Sequence, residues 1–193
     1  EVAAAVAEIS QLADVPNPTL EEAVSVLTDW MDSDDKARPL KVLQGRIWAE
    51  GFERGELIAQ FFEDVIPALR AWRAAGIRLA VFSSGSVASQ AAWFGHSPAG
   101  DLSGLFSGYF DTSNAGAKRE PPAYRAIAES LAVEPSRITF FSDTPAELGA
   151  AAAAGLQAIG VARPGEPNEL ADFDGHRVVA SFGDLELPRS AGT

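Results

Sequence analysis

Cysteine is absent from the chain. That removes disulfides and thiolate metal sites, and two histidines, His96 and His176, are too few for a zinc cluster. Basic residues are scarce: 15 lysines and arginines stand against 27 aspartates and glutamates, a formal charge of −12. Such a chain repels nucleic acid and anionic membrane surfaces, which call for a basic footprint. A negatively charged small ligand must therefore meet a local positive site. No stretch approaches the about 20 apolar residues of a membrane span. No low-complexity tract or internal repeat is visible either. The expectation is a monomeric cytoplasmic protein without nucleic-acid or membrane partners.

What is present reads as globular, with 47% hydrophobic and 22% charged residues. The length of 193 residues allows one good-sized core, or one core plus a small helical lobe. The organisation changes near residue 67. Before it, Val2, Val6, Ile9 and Leu12 recur at helical spacing, and Thr19-Leu-Glu-Glu22 is a capping box leading into Val24, Leu27 and Met31. Pro39 suits a first helical position, and Gly51 is expected to end the helix that carries Leu40, Leu43, Ile47 and Trp48. After residue 67, helices alternate with short apolar strands, clearest at Ile77–Phe82, Arg137–Phe141 and Gln157–Val161. Strands apolar on both faces belong to a parallel sheet covered by helices on both sides. The fold class is therefore α/β, a doubly wound parallel sheet over residues 67–193 with a small α-helical cap over residues 1–66.

Ligands of such sheets bind where strands run into the following helices. Ser83-Ser84-Gly85 and Ser142-Asp143 both stand at that kind of position. The first offers two hydroxyls and free backbone N–H groups, an anion site that needs no formal charge; it reads equally as a helix cap. Asp143 suits a hard cation, which takes oxygen ligands and one or two protein carboxylates, or it caps a helix with Glu147 as a first-turn dipole partner. Lys118 stands in Gly116-Ala-Lys-Arg-Glu120, a glycine-marked loop. By itself it is a solvated lysine. Missing beside these three is an apolar run ending in an acidic pair such as Asp-x-Asp, which an enzyme of phosphoryl transfer needs for its nucleophile.

In this order, the segments resemble the second, third and fourth motifs of the haloacid dehalogenase superfamily. The likeness narrows further. Leu43-Gln-Gly-Arg-Ile-Trp48, Val81-Phe-Ser-Ser-Gly-Ser-Val87, Phe94-Gly-His-Ser97 with Gly100-Asp-Leu102, Phe110-Asp-Thr112 and Ser142-Asp143 with Glu147-Leu148 look like the enolase-phosphatases of methionine salvage. The resemblance runs from about Lys36 to Pro164. It implies enolisation of 2,3-diketo-5-methylthiopentyl 1-phosphate and dephosphorylation of the enol to an acireductone, with Mg²⁺. Carried over, Ser83, Ser84 and Gly85 bind the phosphate, Lys118 binds it and neutralises charge in catalysis, and Asp143 ligates Mg²⁺. Glu147 then steadies Lys118 or a metal-bound water. Lys41, Gln44 and Trp48 become cap contacts to the substrate, sharing one helical face.

Two departures qualify the likeness. Nothing matches the family's opening strand with its Asp-x-Glu-Gly-Thr; Asp172-Phe-Asp174-Gly175 is the nearest string and reads as a loop. The expectation is that this strand lies upstream of Glu1, central in the sheet, and that residues 1–193 by themselves release no phosphate. Ala117, Arg119 and Thr144-Pro145-Ala146 vary the surroundings of Lys118 and Asp143. Two other readings stay open: a phosphate-binding module or relic without catalysis, and a phosphatase of the same superfamily with another small substrate.

Overall fold

A computed structural model describes residues 2–33 and 37–185 and divides the chain into two compact units, Glu1–Leu57 and Ile58–Thr193. Lys36, where the resemblance begins, lies outside the described residues.

The first unit packs three helices, α1 (Val2–Leu12), α2 (Leu20–Asp32) and α3 (Arg38–Glu53), around Ile9, Ala23, Leu40 and Phe52. The capping box forms as read: the Glu22 amide donates to Thr19 Oγ1 at 3.2 Å, and the Thr19 amide donates to Glu22 Oε2 at 2.8 Å. Gly51 does not end α3. The helix runs on to Glu53, and the turn falls at Gly55, whose φ of 70° suits a residue without a Cβ. Gly51 is there for close approach, because a Cβ would stand 2.7 Å from Leu57 Cδ1.

The second unit holds α4 (Val65–Ala74), β1 (Leu79–Phe82), α5 (Val87–Gly95), β2 (Phe106–Phe110), α6 (Pro121–Leu131), β3 (Thr139–Ser142), α7 (Pro145–Ala153), β4 (Gln157–Val161) and β5 (Arg177–Val179). Residues 58–66, read from sequence as part of the helical lobe, fall in this unit. Ala59 is wholly buried, and the Phe61 ring sits 6.2 Å from Trp93 and 5.6 Å from Phe94. Helix α4 starts two residues before Pro67, which its first turn tolerates because no intrahelical donor is lost there.

Every strand pair is parallel: β1 with β2, and β3 with β4 with β5. Successive strand residues point to opposite faces, so Phe140 and Phe141 of β3 define two sides. On one side Trp72 of α4 stacks on Phe141, with centroids 5.8 Å apart. On the other, Tyr124 of α6 stands edge-on to Phe140 at 4.9 Å and to Phe82 of β1 at 5.5 Å. Helices thus cover both faces. The core is built around Ala123, Tyr124, Ala150, Ala151, Ala154 and Leu156, and its alanines bring α6 and α7 down onto the sheet.

The ladders stop at one place. Among the described residues, β1 and β3 have no strand partner on the edges they turn toward each other. Between them lies a cleft of about 1570 Å³ whose walls include Leu79, Val81, Phe82, Phe140, Phe141 and Leu69. That exceeds the about 300–1,000 Å³ usual for small-molecule pockets. Tyr124 bridges the two half-sheets across it.

Candidate active site

Beyond Phe82 the chain leaves β1 through a tight turn: the Ser83 amide donates to the Phe110 carbonyl at 3.1 Å, and the Gly85 amide to Ser83 Oγ at 3.1 Å. The cap of α5 is Ser86, whose hydroxyl accepts from the Ser89 amide at 3.2 Å. Ser83 and Ser84 therefore precede the cap rather than serve as it. Ser84 makes no side-chain hydrogen bond among the described residues and stands half-buried just past the end of the strand.

Lys118 reaches from the loop before α6 to the end of β3. Its Nζ lies 2.7 Å from Glu147 Oε2, with side-chain exposures of 20% and 11%. The same nitrogen is 5.8 Å from the centre of the Phe82 ring, so Lys118 stands where the carboxyl ends of β1 and β3 converge. Ser142 Oγ donates to Glu147 Oε2 at 2.8 Å and accepts from the Thr144 amide at 3.1 Å. Tyr124 fixes the other end of Lys118 by donating its hydroxyl to the Lys118 carbonyl at 2.6 Å. Burial, with the Glu147 charge, drives the Tyr124 phenol well above its ordinary pKa, so it remains a donor at any working pH. Glu147 holds a lysine and a serine, which leaves it poorly placed as a metal ligand.

Asp143 is the first residue past β3 and is exposed. Among the described residues its oxygens accept only long bonds, from Thr144 Oγ1 at 3.2 Å and Asn168 Nδ2 at 3.4 Å. A carboxylate so loosely engaged at a strand end fits one position of a hard-cation shell. Among the described residues no three His, Asp or Glu side chains cluster to complete one. In the first unit, Lys41 Nζ donates to Gln44 Oε1 at 3.0 Å along α3, and Trp48 is 41% exposed. His96 bonds within its own helix, Nδ1 to the Ala92 carbonyl at 2.8 Å, and Asp172-Phe-Asp174-Gly175 is a loop whose Asp174 amide turns back to Asp172.

Three further groups stand near the strand ends, and of them Asp111 alone carries a local signal. Asp111, just past β2, accepts from the amides of Val87, Ser113 and Asn114 at 2.9–3.1 Å. Burial works against its charge, but these donors outweigh it and hold its pKa below the usual carboxylate range. The Asp-Thr-Ser-Asn run did offer one clue, since aspartate commonly bonds amides two and three residues on. Gln90, in α5, donates to two carbonyls. Asp64, ahead of α4, binds the Arg163 guanidinium through both oxygens at 2.9 Å and also accepts from Ser181 Oγ and the Phe182 amide. Arg163 lies over the Phe62 ring at 4.2 Å, which draws the segment before α4 against the loop after β4.

Partial burial opposes ionisation of Asp64, yet Arg163, Phe182 and Ser181 together bring its pKa down to about 2. A folded-state pKa below the unfolded value of about 3.9 contributes stability above that value and loses it as pH falls toward the folded one. In the full-length protein, Asp64→Asn is expected to cost about 2–4 kcal/mol at neutral pH, lowering the thermal midpoint by about 5–15 °C. Melting both proteins from pH 7 to pH 2 checks the sign: the gap should be constant down to about pH 5 and close between about pH 4 and 2. A gap that persists at pH 2 would mean the carboxylate's charge is not what holds the segment.

A parallel α/β unit with a lysine, a loosely held carboxylate and an open serine at its strand ends is the frame of a hydrolase, and residues 2–155 match the family described as haloacid dehalogenase-like hydrolase. The chain is 56% identical to the enolase-phosphatase E1 of Frankia alni, over 97% of this chain and 78% of that protein. It is 52% identical to the enolase-phosphatase E1 of Streptomyces avermitilis, over 98% of this chain and 80% of that one. Among solved structures it is similar to the UTR4 protein of Saccharomyces cerevisiae, with a TM-score of 0.72 and 31% identity, covering 92% of this chain and 80% of that one. The chain belongs to the enolase-phosphatases within the haloacid dehalogenase-like hydrolases, and its enzyme class is phosphatase.

Proposed function

We propose that the protein converts 2,3-diketo-5-methylthiopentyl 1-phosphate to an acireductone, enolising the diketone and then removing its phosphate, as a Mg²⁺-dependent step of L-methionine salvage. It acts in the cytoplasm as a monomer on a small phosphorylated metabolite. The observation that carries this reading is Lys118, held by Glu147 and by Tyr124 between the ends of β1 and β3. A phosphate there lies between a cation and the uncommitted donors of the turn, the Ser83 and Ser84 hydroxyls and the Ser84 amide, the Ser83 and Gly85 amides being already engaged, which suits the charge that spreads over phosphoryl oxygens during transfer.

The cleft between β1 and β3 has room for one more parallel strand, and in this reading that strand carries the nucleophilic carboxylate to Lys118. A carboxylate oxygen attacks phosphorus, the bond from phosphorus to the substrate oxygen breaks, and that oxygen takes a proton. Water then attacks the acyl phosphate, restoring the carboxylate and releasing phosphate. Lys118 keeps the attacking carboxylate and the phosphate from repelling each other. Asp143 would hold the Mg²⁺, which when bound offsets charge on the phosphoryl oxygens and on the enolate.

The reading is tested with the full-length protein, by following absorbance of the enol product and released phosphate together, beside a panel of other small phosphate esters. Enol absorbance with equal phosphate is the expected result. Release from other esters alone would leave a phosphatase of another substrate, and release from none would leave a phosphate-binding module.

A further inference from the structure

Gln90 lies in the first turns of α5 and is 6% exposed. Its Nε2 donates to the Gly85 carbonyl and to the Phe110 carbonyl, both at 2.8 Å. Phe110 also accepts from the Ser83 amide, so its carbonyl is fully used. The Gln90 Oε1 is buried with no partner among the described residues. A buried acceptor left so costs about 1–3 kcal/mol, and the opposite orientation of the amide would set an oxygen against two carbonyl oxygens. The side chain is therefore held by its donors, and what they hold is the Gly85 carbonyl.

That matters because a trans peptide points its C=O and N–H in opposite directions, and there is no cis peptide among the described residues. Drawing the Gly85 carbonyl inward toward Gln90 turns the Ser86 N–H outward. Three neighbouring amides are committed, Gly85 to Ser83 Oγ, Val87 to Asp111 and Ser89 to Ser86 Oγ, while those of Ser84 and Ala88 have no acceptor among the described residues. The Ser86 amide has no such partner among the described residues. A carbonyl turned outward here would repel a phosphate, whereas an amide turned outward binds one.

We infer that Gln90 is a positioning residue for phosphate: it fixes the Gly85–Ser86 peptide so that the Ser86 N–H is a donor to the phosphate held by Ser84 and Lys118. The inference rests on the phosphate reading of that loop, and the test separates the two. In the full-length enzyme, Gln90→Met keeps length and apolar packing but loses both donors. Inorganic phosphate should inhibit this variant about tenfold more weakly and KM should rise about tenfold, with kcat within about threefold, since one binding donor is misaimed while Lys118 and the cation site are untouched. Equal phosphate inhibition, or a fall in kcat with phosphate binding unchanged, overturns it. Should the variant not fold, amide NMR of the unmodified protein decides: titrated phosphate should shift the Ser84 and Ser86 amides together. Response at Ser84 without Ser86 removes the role of Gln90 alone, and no response at either removes the phosphate site itself.

Discussion

Replacing Asp143 with Asn in the full-length enzyme is expected to lower Mg²⁺-dependent phosphate release by about 10³-fold or more, with the fold intact. The fold should survive because Asp143 is exposed and its two hydrogen bonds are long, 3.2 and 3.4 Å. Asn keeps the shape and loses the charge a hard cation requires. Glu147→Gln should cost less, about 10–100-fold, because it weakens the hold on Lys118 without removing a ligand. Turnover of both variants across a Mg²⁺ titration ranks them. Unchanged turnover of Asp143→Asn at limiting Mg²⁺ would take that residue out of the site, and an equal loss in Glu147→Gln would overturn the ranking.

Residues 1–193 prepared by themselves are expected to release no phosphate and to lack a cooperative unfolding transition in the second unit. Both properties should return when a parallel strand occupies the cleft. Each buried backbone group without a partner costs about 1–3 kcal/mol, and a whole domain is stable by about 5–15 kcal/mol. The four-residue strands β1 and β3 both present an unpartnered edge to that cleft. Calorimetry and a phosphate assay on this preparation, beside a longer one that supplies an apolar strand ending in an acidic pair, decide the matter. A sharp transition in residues 1–193 would show that aromatic packing by Trp72 and Tyr124 alone suffices, and turnover there would place the nucleophile elsewhere.

The strands and their ends were readable because each is a short apolar run closed by a small polar turn: Phe82 into Ser83, and Phe141 into Ser142 with Asp143. Burial on both faces writes itself into consecutive residues, and so does a capping box such as Thr19 with Glu22. The Asp64–Arg163 pair was not readable, since the two residues stand 99 apart and nothing periodic links them. Residues 58–66 went to the wrong unit for a related reason. Phe61 and Phe62 have no helical or strand spacing, and only the fold shows that their partners are Trp93, Phe94 and Arg163. Gln90 sits on a helix where its neighbours predict only a helix. Its role depends on two carbonyls, one of them 20 residues away.

The bridging ring of Tyr124 has a consequence for motion. Within each half-sheet the strands are tied by backbone ladders, but in residues 1–193 by themselves the ties across the cleft are side-chain contacts: Phe82 and Phe140 on Tyr124, Trp72 on Phe141, and Asp64 with Arg163. Ring contacts yield by small rotations, whereas ladders break bond by bond. Without a strand in the cleft the halves can therefore breathe about these contacts, and Lys118, tethered to Tyr124 at one end and to Glu147 at the other, travels with the breathing; a strand paired to both edges would still it. In residues 1–193 by themselves amide hydrogen exchange would register two protection levels, slow at β4 between its two neighbours and fast along the edges of β1 and β3, and those edges should slow once a strand occupies the cleft.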